Sequence, residues 1–126
     1  MIPKFRAWDG SSLSRMYSPS EVMVGDSDIW IFDEDSEGNE WIVNNDLVLM
    51  QSTGLTDKNS EEIFEGDILG TKDGLLNGVV KFNIDLGMWT NSLIRYNNFE
   101  RLCSIANSRE IIGNIWEDGE LLEVGS

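Results

Sequence analysis

Short apolar runs separated by polar turn residues dominate the chain, and the clearest example lies at its centre. Residues 47–50 are apolar, residues 57–60 favour turns, and Gly66 and Asp67 form a second turn before another apolar pair. Runs of this length between clusters of Gly, Asn, Asp and Ser are typical of β-strands joined by tight turns. The segment 47–71 therefore predicts a strand, a turn and a second strand, with positive φ required at Gly66.

Further strand-like segments lie in the N-terminal part, at residues 2–8, 22–24, 29–32 and 41–43. The residues at 25–28 favour a turn between the second and third of these segments. Gly38 and Asn39 suit the left-handed turn of a hairpin between the third and fourth. These patterns predict a β-rich N-terminal subdomain spanning residues 1–62.

The C-terminal part contains short apolar runs at residues 68–69, 79–82, 88–90, 93–96 and 111–116. Strands at such close spacing predict a small barrel, and the first two runs look like the opening strands of an SH3-like barrel. A helical spacing of apolar residues from Leu93 to Ala106 competes with this interpretation, but the Asn pair at 97–98 favours a turn. We therefore predict a mainly β protein in which an SH3-like barrel, residues 63–126, follows the N-terminal subdomain. At most one short helix is expected, and the two parts form one compact unit overall.

The central segment resembles the signature of the YopX-like family of phage and prophage proteins. That signature looks like Leu-Met-Gln-x-Thr-Gly-Leu-x-Asp-Lys-Asn-Gly-x-Glu-Ile-x-Glu-Gly-Asp-Ile. The matching positions here are residues 49–55, 57–59, 62–63 and 65–68. The segments 2–9 and 111–117, with Leu121 and Leu122, are similar to two further signatures of the family.

Two positions depart from the family pattern. Ser60 stands where the family usually has Gly, and Asp118-Gly119 replaces the usual Asn-Pro. Both departures fall in turns, so they affect turn geometry and not the resemblance. The resemblance implies a protein with no established enzymatic activity, and it transfers no site residues to this chain.

The charge of the chain is strongly negative and uneven. The 9 basic residues stand against 23 acidic ones, which gives a net charge of -14. Between Glu21 and Glu65 there are 13 acidic residues and one basic residue, Lys58. Because phosphate backbones and anionic membranes are also negative, direct binding of nucleic acid or membrane is disfavoured.

The sequence also predicts where the protein works. Cys103 is the only cysteine, so a disulfide within the chain is excluded. No apolar run approaches the ~20 residues that span a bilayer, and the N-terminus does not resemble a signal peptide. We expect a cytoplasmic protein of the host cell.

Catalytic chemistry has little support in this composition. The chain contains no His, which removes the commonest general base and the commonest metal ligand. Cys103 lies in an apolar stretch and is expected to be a small buried side chain. Neighbouring carboxylates such as Asp26 and Asp28 follow from the acidic composition and have no basic groove beside them. We predict no enzyme, with no catalytic, cofactor-binding or metal-binding residues and no cofactor.

One acidic loop partly matches a calcium-binding loop. Asp33, Asp35 and Glu37 alternate before Gly38, as in the first half of such a loop, but the twelfth position is Asn44 and not Glu. A calcium loop also continues into a helix, whereas the residues that follow have a strand-like pattern. The loop is therefore interpreted as a solvated hairpin tip.

Two other groups of residues leave alternatives open. Lys4, Arg6 and Arg15 either hold the N-terminal strand against acidic neighbours or form a patch that recognises an anion. The tryptophans either pack in the core, as is usual at strand positions, or form a stacking surface. They are Trp8, Trp30, Trp41, Trp89 and Trp116.

Two functional hypotheses follow. The first is a non-enzymatic accessory protein of phage or prophage type that binds an unidentified host or phage protein. The alternative is an acidic mimic of nucleic acid that inhibits a host DNA-binding protein. Self-association through edge strands is also open.

Overall fold

The computed structural model describes residues 4–33 and 40–123, and its regular structure is almost entirely β. The strands in these residues are β1 Phe5–Asp9, β2 Arg15–Tyr17, β3 Val22–Gly25, β4 Asp28–Asp33, β5 Glu40–Val43, β6 Val48–Thr56, β7 Glu62–Phe64, β8 Asp67–Gly70, β9 Gly78–Asn83, β10 Met88–Leu93, β11 Phe99–Arg101 and β12 Glu110–Asn114. The α-helix α1 is Leu102–Ile105, and 3-10 helices lie at Pro19–Glu21, Ala106–Ser108 and Gly119–Leu122. This confirms the predicted mainly β class with one short helix. No helix within the described ranges is long and apolar enough to cross a lipid bilayer.

The chain divides into two compact units, Met1–Gln51 and Ser52–Ser126. Each unit has its own cluster of buried hydrophobic side chains. The first cluster contains Ala7, Tyr17, Ile31 and Leu47, and the second contains Ile63, Leu69, Val80, Leu102 and Ala106. The subdomain ranges 1–62 and 63–126 stay a prediction.

In the first unit, β1 pairs antiparallel with β2 and with the first half of β6. A separate antiparallel sheet has the order β3-β4-β5. Asp26 and Ser27 form the two-residue turn between β3 and β4, with φ values of 52° and 67°. Two successive left-handed residues are typical of tight hairpin turns, which confirms the turn predicted at 25–28. The β4–β5 hairpin is also confirmed, while its predicted turn at Gly38 and Asn39 lies outside the described residues.

The second unit contains a five-stranded antiparallel sheet with the order β11-β10-β9-β8-β12. Strands β8 to β11 are neighbours in chain order, and β12 returns to pair with β8 after the helical segment that begins with α1. This connectivity is that of the predicted SH3-like barrel, and the sheet curls as a half-barrel.

The segment between β10 and β11 differs from the sequence-based prediction. Residues 93–96 were expected to form a strand, but β10 ends at Leu93 and the chain turns. The Leu93 amide donates to the Asn98 carbonyl oxygen at 3.0 Å, which closes the turn. The strand that follows, β11, was not predicted. The Asn residues of this segment thus favour a turn between two strands, as their propensity suggests.

The last strand also ends earlier than predicted, at Asn114 and not at Trp116. The Asn114 Oδ1 atom accepts hydrogen bonds from the amides of Trp116 and Glu117 at 3.0 and 2.9 Å. An Asn side chain that accepts from the amides following it stabilises a turn in place of a strand.

Two turns of the central segment use the left-handed region of φ. Gly66 has φ 86°, which confirms the positive φ predicted for it. Ser60 has φ 65°, although it carries a Cβ atom. Its amide donates to the Asp57 carbonyl oxygen at 3.0 Å, so the turn holds Ser60 in this conformation. Ser60 is the position at which the family signature has Gly.

We expect Ser60→Gly to raise the free energy of unfolding by about 0.5–1 kcal/mol. The left-handed conformation costs an L-residue roughly 1–2 kcal/mol, and the greater freedom of Gly in the unfolded chain offsets part of the gain. Urea unfolding at pH 7 measures the difference. Ser60→Ala keeps the Cβ atom and should give no gain, and a Ser60→Gly variant that is less stable than the original would contradict the expectation.

Candidate interaction surface

Cys103 is exposed, so the predicted burial of this residue is wrong. It lies in α1, and the second cluster contains both Leu102, at the start of α1, and Ala106, the residue after its end. Residues four apart share one face of a helix, so burial of these two turns Cys103 towards solvent. The apolar stretch around Cys103 in the sequence reflects its neighbours and not its own position.

The described residues contain no group of three or more His, Cys, Asp or Glu side chains that could hold a metal ion. Half of the twelve-residue calcium-like loop, residues 34–39, lies outside them. The residues after that loop form β5, as the strand-like pattern predicted, and not a helix. Asn44, which would occupy the last ligand position, accepts a hydrogen bond from the Asp46 amide at 3.0 Å.

Asp57 of the central signature is a structural residue. It is 3% exposed, and its Oδ1 atom accepts from the amides of Asn59 and Glu61 at 2.8 and 2.9 Å. Its Oδ2 atom accepts from the Ile111 amide at 3.0 Å. Burial alone would raise the pKa of this carboxyl group, but the three backbone donors outweigh burial and lower it. Asp57 thereby joins the turn after β6 to the start of β12.

The Gly66–Asp67 turn is held in the same way. The Asp67 Oδ2 atom accepts from the Phe64 amide at 2.8 Å, and Asp67 is 1% exposed. The Gly66 amide donates to the Val80 carbonyl oxygen at 2.9 Å, and the Gly66 carbonyl oxygen accepts from the Ile115 amide at 3.0 Å. The central signature therefore fixes strand connections, and none of these carboxylates is presented to solvent as a reactive group.

A partly buried ion pair joins Glu100 of β11, which is 20% exposed, to Arg109, which precedes β12. Arg109 Nη1 and Nη2 donate to the two carboxylate oxygens of Glu100, each at 2.6 Å. The Arg109 side chain is 8% exposed, and Asn91 Nδ2 donates to the same carboxylate at 3.1 Å. Hydrogen bonding from Arg109 holds the pKa of Glu100 below its ordinary value. The spacing of these residues in the sequence gave no sign of this pair.

The basic residues near the N-terminus are engaged in contacts within the first unit. Arg15 forms an ion pair with Glu21 at 2.9 Å, and its guanidinium lies 4.5 Å from the centroid of the Tyr17 ring. Arg6 Nε lies 3.4 Å from the sulfur of Met50. These contacts agree with the structural reading of Arg6 and Arg15 rather than with an anion-binding patch.

The sheet of β3, β4 and β5 carries apolar side chains on both faces. One face contributes Ile31 to the first cluster, with Val22 and Ile29 packed against it. Pairing in the sheet aligns the residues of the opposite face in two rows, Met23–Trp30–Val43 and Phe32–Trp41. We call these five residues the outer face.

The outer face is substantially open to solvent. Met23 is 48% exposed, Val43 44% and Trp41 39%, while Trp30 and Phe32 are half-buried. The rings of Phe32 and Trp41 contact each other with centroids 5.6 Å apart. Trp89, by contrast, packs against the second hydrophobic cluster. Trp89 therefore takes the core role that the sequence left open, whereas Trp41 lies at the surface of the protein.

The segment that forms this sheet has a one-sided charge. Residues 21–46 contain nine acidic residues and no Lys or Arg. Asp26 and Asp28 lie in or beside the turn between β3 and β4, and Glu40 lies in β5. The outer face is therefore an apolar surface in a segment whose charged residues are all acidic.

Comparisons with known proteins agree with the signatures. The chain matches the family model described as YopX protein over residues 4–123. It is similar to the crystal structure of EF1440 from Enterococcus faecalis, with 30% identity, a TM-score of 0.59, and coverage of 98% of this chain and 99% of that chain.

It is also similar to the crystal structure of yopX from Bacillus subtilis, with 17% identity, a TM-score of 0.59 and 98% of both chains covered. At that identity the likeness concerns the fold alone. A comparison with curated proteins found no match. Since the family model spans nearly the whole chain and EF1440 matches along nearly its full length, the chain belongs to the YopX family.

Proposed function

We propose that this protein is a non-enzymatic accessory protein that binds a protein of the host cell or of a phage through the outer face. The observation that supports the proposal is the set of five apolar side chains on one face of a small sheet, including two tryptophans. A contiguous exposed patch of this kind is unusual on a protein that works alone. Tryptophan also ranks among the residues that contribute most to binding at protein interfaces. The proposed location is the cytoplasm.

The acidic segment supports a second proposal, in which the protein imitates nucleic acid. Residues 21–46 contain nine acidic residues and no Lys or Arg, and this negative charge could occupy the basic groove of a DNA-binding protein. The two proposals differ in the forces that hold the partner. An apolar interface is nearly insensitive to salt, whereas a charge-based interface weakens steeply as salt screens it.

Affinity capture from host lysate, at salt concentrations from roughly 0.05 to 0.5 M, tests both proposals. We expect a partner that is weakened only in part at high salt and that Trp41→Ala loses at every salt concentration. Ile84→Ala is the matched control, because Ile84 is 84% exposed in the turn between β9 and β10 and lies outside the outer face. Thermal melts confirm that both variants are folded. Loss of the partner with salt but not with Trp41→Ala would reject the outer face and favour the mimic.

A further inference from the structure

We infer that the free edge of β5 is a strand-addition site, which takes an extended segment of the partner whose side chains alternate between apolar and basic. This inference rests on the proposed function, since it specifies how a protein partner would engage the outer face. It adds a main-chain contact to the side-chain contact proposed above. Recognition by strand addition combines backbone hydrogen bonds with pockets for alternate side chains.

The edge of β5 has neither Pro nor Lys nor a bulge, three features that often protect an edge strand, and its single charged residue is Glu40. Among the described strands, β5 pairs with β4 only, and each of its four residues is exposed. Its pairing with β4 is continuous from Asp33–Glu40 to Trp30–Val43, without a bulge. Its sequence, Glu-Trp-Ile-Val, contains no Pro and no Lys. Natural edge strands are usually blocked by charge, Pro, bulges or a covering element.

The hydrogen-bond pattern shows which groups of β5 point outward. The Asn44 amide donates to the Ile29 carbonyl oxygen at 2.8 Å, which places that pair at a hydrogen-bonded position of the ladder. Hydrogen-bonded and non-hydrogen-bonded pairs alternate along an antiparallel ladder. Ile42 therefore bonds inward to β4. The N–H and C=O groups of Trp41 and Val43 point away from β4, towards the position of an added strand.

The side chains of β5 specify the chemistry of that strand. On one side of the sheet an added strand would lie beside Trp41 and Val43 of the outer face, which favours apolar side chains. The alternate side chains of the added strand would lie on the side of Glu40 and Ile42. These two residues belong to the segment 21–46, which has nine acidic residues and no Lys or Arg. Lys or Arg at those positions would complement this charge.

The charge also decides between a foreign partner and a second copy of the chain. Pairing β5 with β5 of a second copy would bring two acidic segments together, each on a chain of net charge -14. Like charges across an interface are unfavourable, particularly at low salt. The occupant proposed is accordingly a basic segment of another protein.

The test uses an eight-residue peptide that alternates Lys and Val, with a peptide that alternates Glu and Val as its control. Hydrogen exchange of the intact protein, followed by NMR, reports on each backbone amide. We expect the Lys-Val peptide to slow exchange at Trp41 and Val43 at least tenfold, and the Glu-Val peptide to have no effect. Unchanged exchange at both amides with the Lys-Val peptide would overturn the inference.

Two variants at one position separate strand addition from contact with the outer face. Val43→Pro removes an outward N–H without removing a bond to β4, whereas Val43→Ala shortens the side chain and keeps the N–H. We expect Val43→Pro to bind the Lys-Val peptide at least tenfold more weakly than Val43→Ala. Equal binding would overturn strand addition, and the proposed function would still stand if Trp41→Ala loses the captured partner. If Val43→Pro does not fold, the exchange rates of the Trp41 and Val43 amides in the unmodified protein decide whether strand addition occurs.

A dimer in sedimentation equilibrium that Val43→Pro dissociates would replace the foreign partner with a second copy.

Discussion

Arg109→Met should lower the free energy of unfolding by about 2–4 kcal/mol, because it leaves the Glu100 carboxylate, which is 20% exposed, without its cation. The pair is bidentate, with both oxygen–nitrogen distances at 2.6 Å, and the Arg109 side chain is 8% exposed. The register of the sheet aligns Glu100 with Asn91, which is fully buried, and Asn91 with Val80 of the second cluster. Urea unfolding monitored by tryptophan fluorescence measures the loss.

A matched control is Arg101→Met, which removes the same side chain from an exposed position on β11 and should be nearly neutral. The double variant Glu100→Leu with Arg109→Met should recover part of the stability, since replacing both charges removes the unpaired carboxylate. Equal effects of Arg109→Met and Arg101→Met would show that the ion pair adds no more to the free energy of unfolding than an exposed arginine does.

Asp57→Ala should cost about 3 kcal/mol, because three backbone amides lose their acceptor together. They belong to Asn59, Glu61 and Ile111, and each buried donor left without a partner costs about 1–3 kcal/mol. Water that enters the vacated space would keep the sum below the upper bound. Differential scanning calorimetry should show a transition several degrees lower.

Asp85→Ala is the control for this variant, since Asp85 is an exposed residue of the turn between β9 and β10.

A pH series adds a second test. The folded pKa values of Asp57 and Glu100 both lie below their ordinary values, so the unfolded chain takes up protons first as the pH falls. Their stabilisation is present above about pH 4 and is lost below it. Asp57→Asn should make the free energy of unfolding fall less steeply below about pH 4. An equally steep fall in the variant would contradict the role assigned to Asp57.

The sequence predicted most of the strands because turn residues mark their ends. Gly66 and the residues at 25–28 occupy left-handed turns for the reason that the sequence suggested: Gly, Asp and Ser at these places suit tight turns. The close spacing of the short runs after Gly66 likewise predicted a small SH3-like barrel. The error at residues 93–96 arose because the turn there contains apolar and basic residues as well as Asn. The sequence therefore did not mark the end of β10 at Leu93.

The exposure of the outer face could not be predicted in the same way. In β3, β4 and β5 both faces are apolar, and such a pattern in a sequence is typical of a strand covered on both sides. Whether the second face is covered depends on which other elements pack there, and this information is not local. The burial of Arg109 and the exposure of Cys103 were missed for the same reason, since each depends on residues that are distant along the chain or on the orientation of a single helical turn.

The three family signatures and the outer face occupy different parts of the chain. The signatures lie at residues 2–9, 49–68 and 111–122, whereas the sheet that bears the outer face spans residues 22–43. Asp57, Gly66 and Asp67 secure the strand connections, so a relative can keep them while the residues of its outer face change. On the proposed function, kinship within this family would transmit the scaffold and leave partner specificity free to diverge, so a binding partner found for one member would have to be established anew for the next.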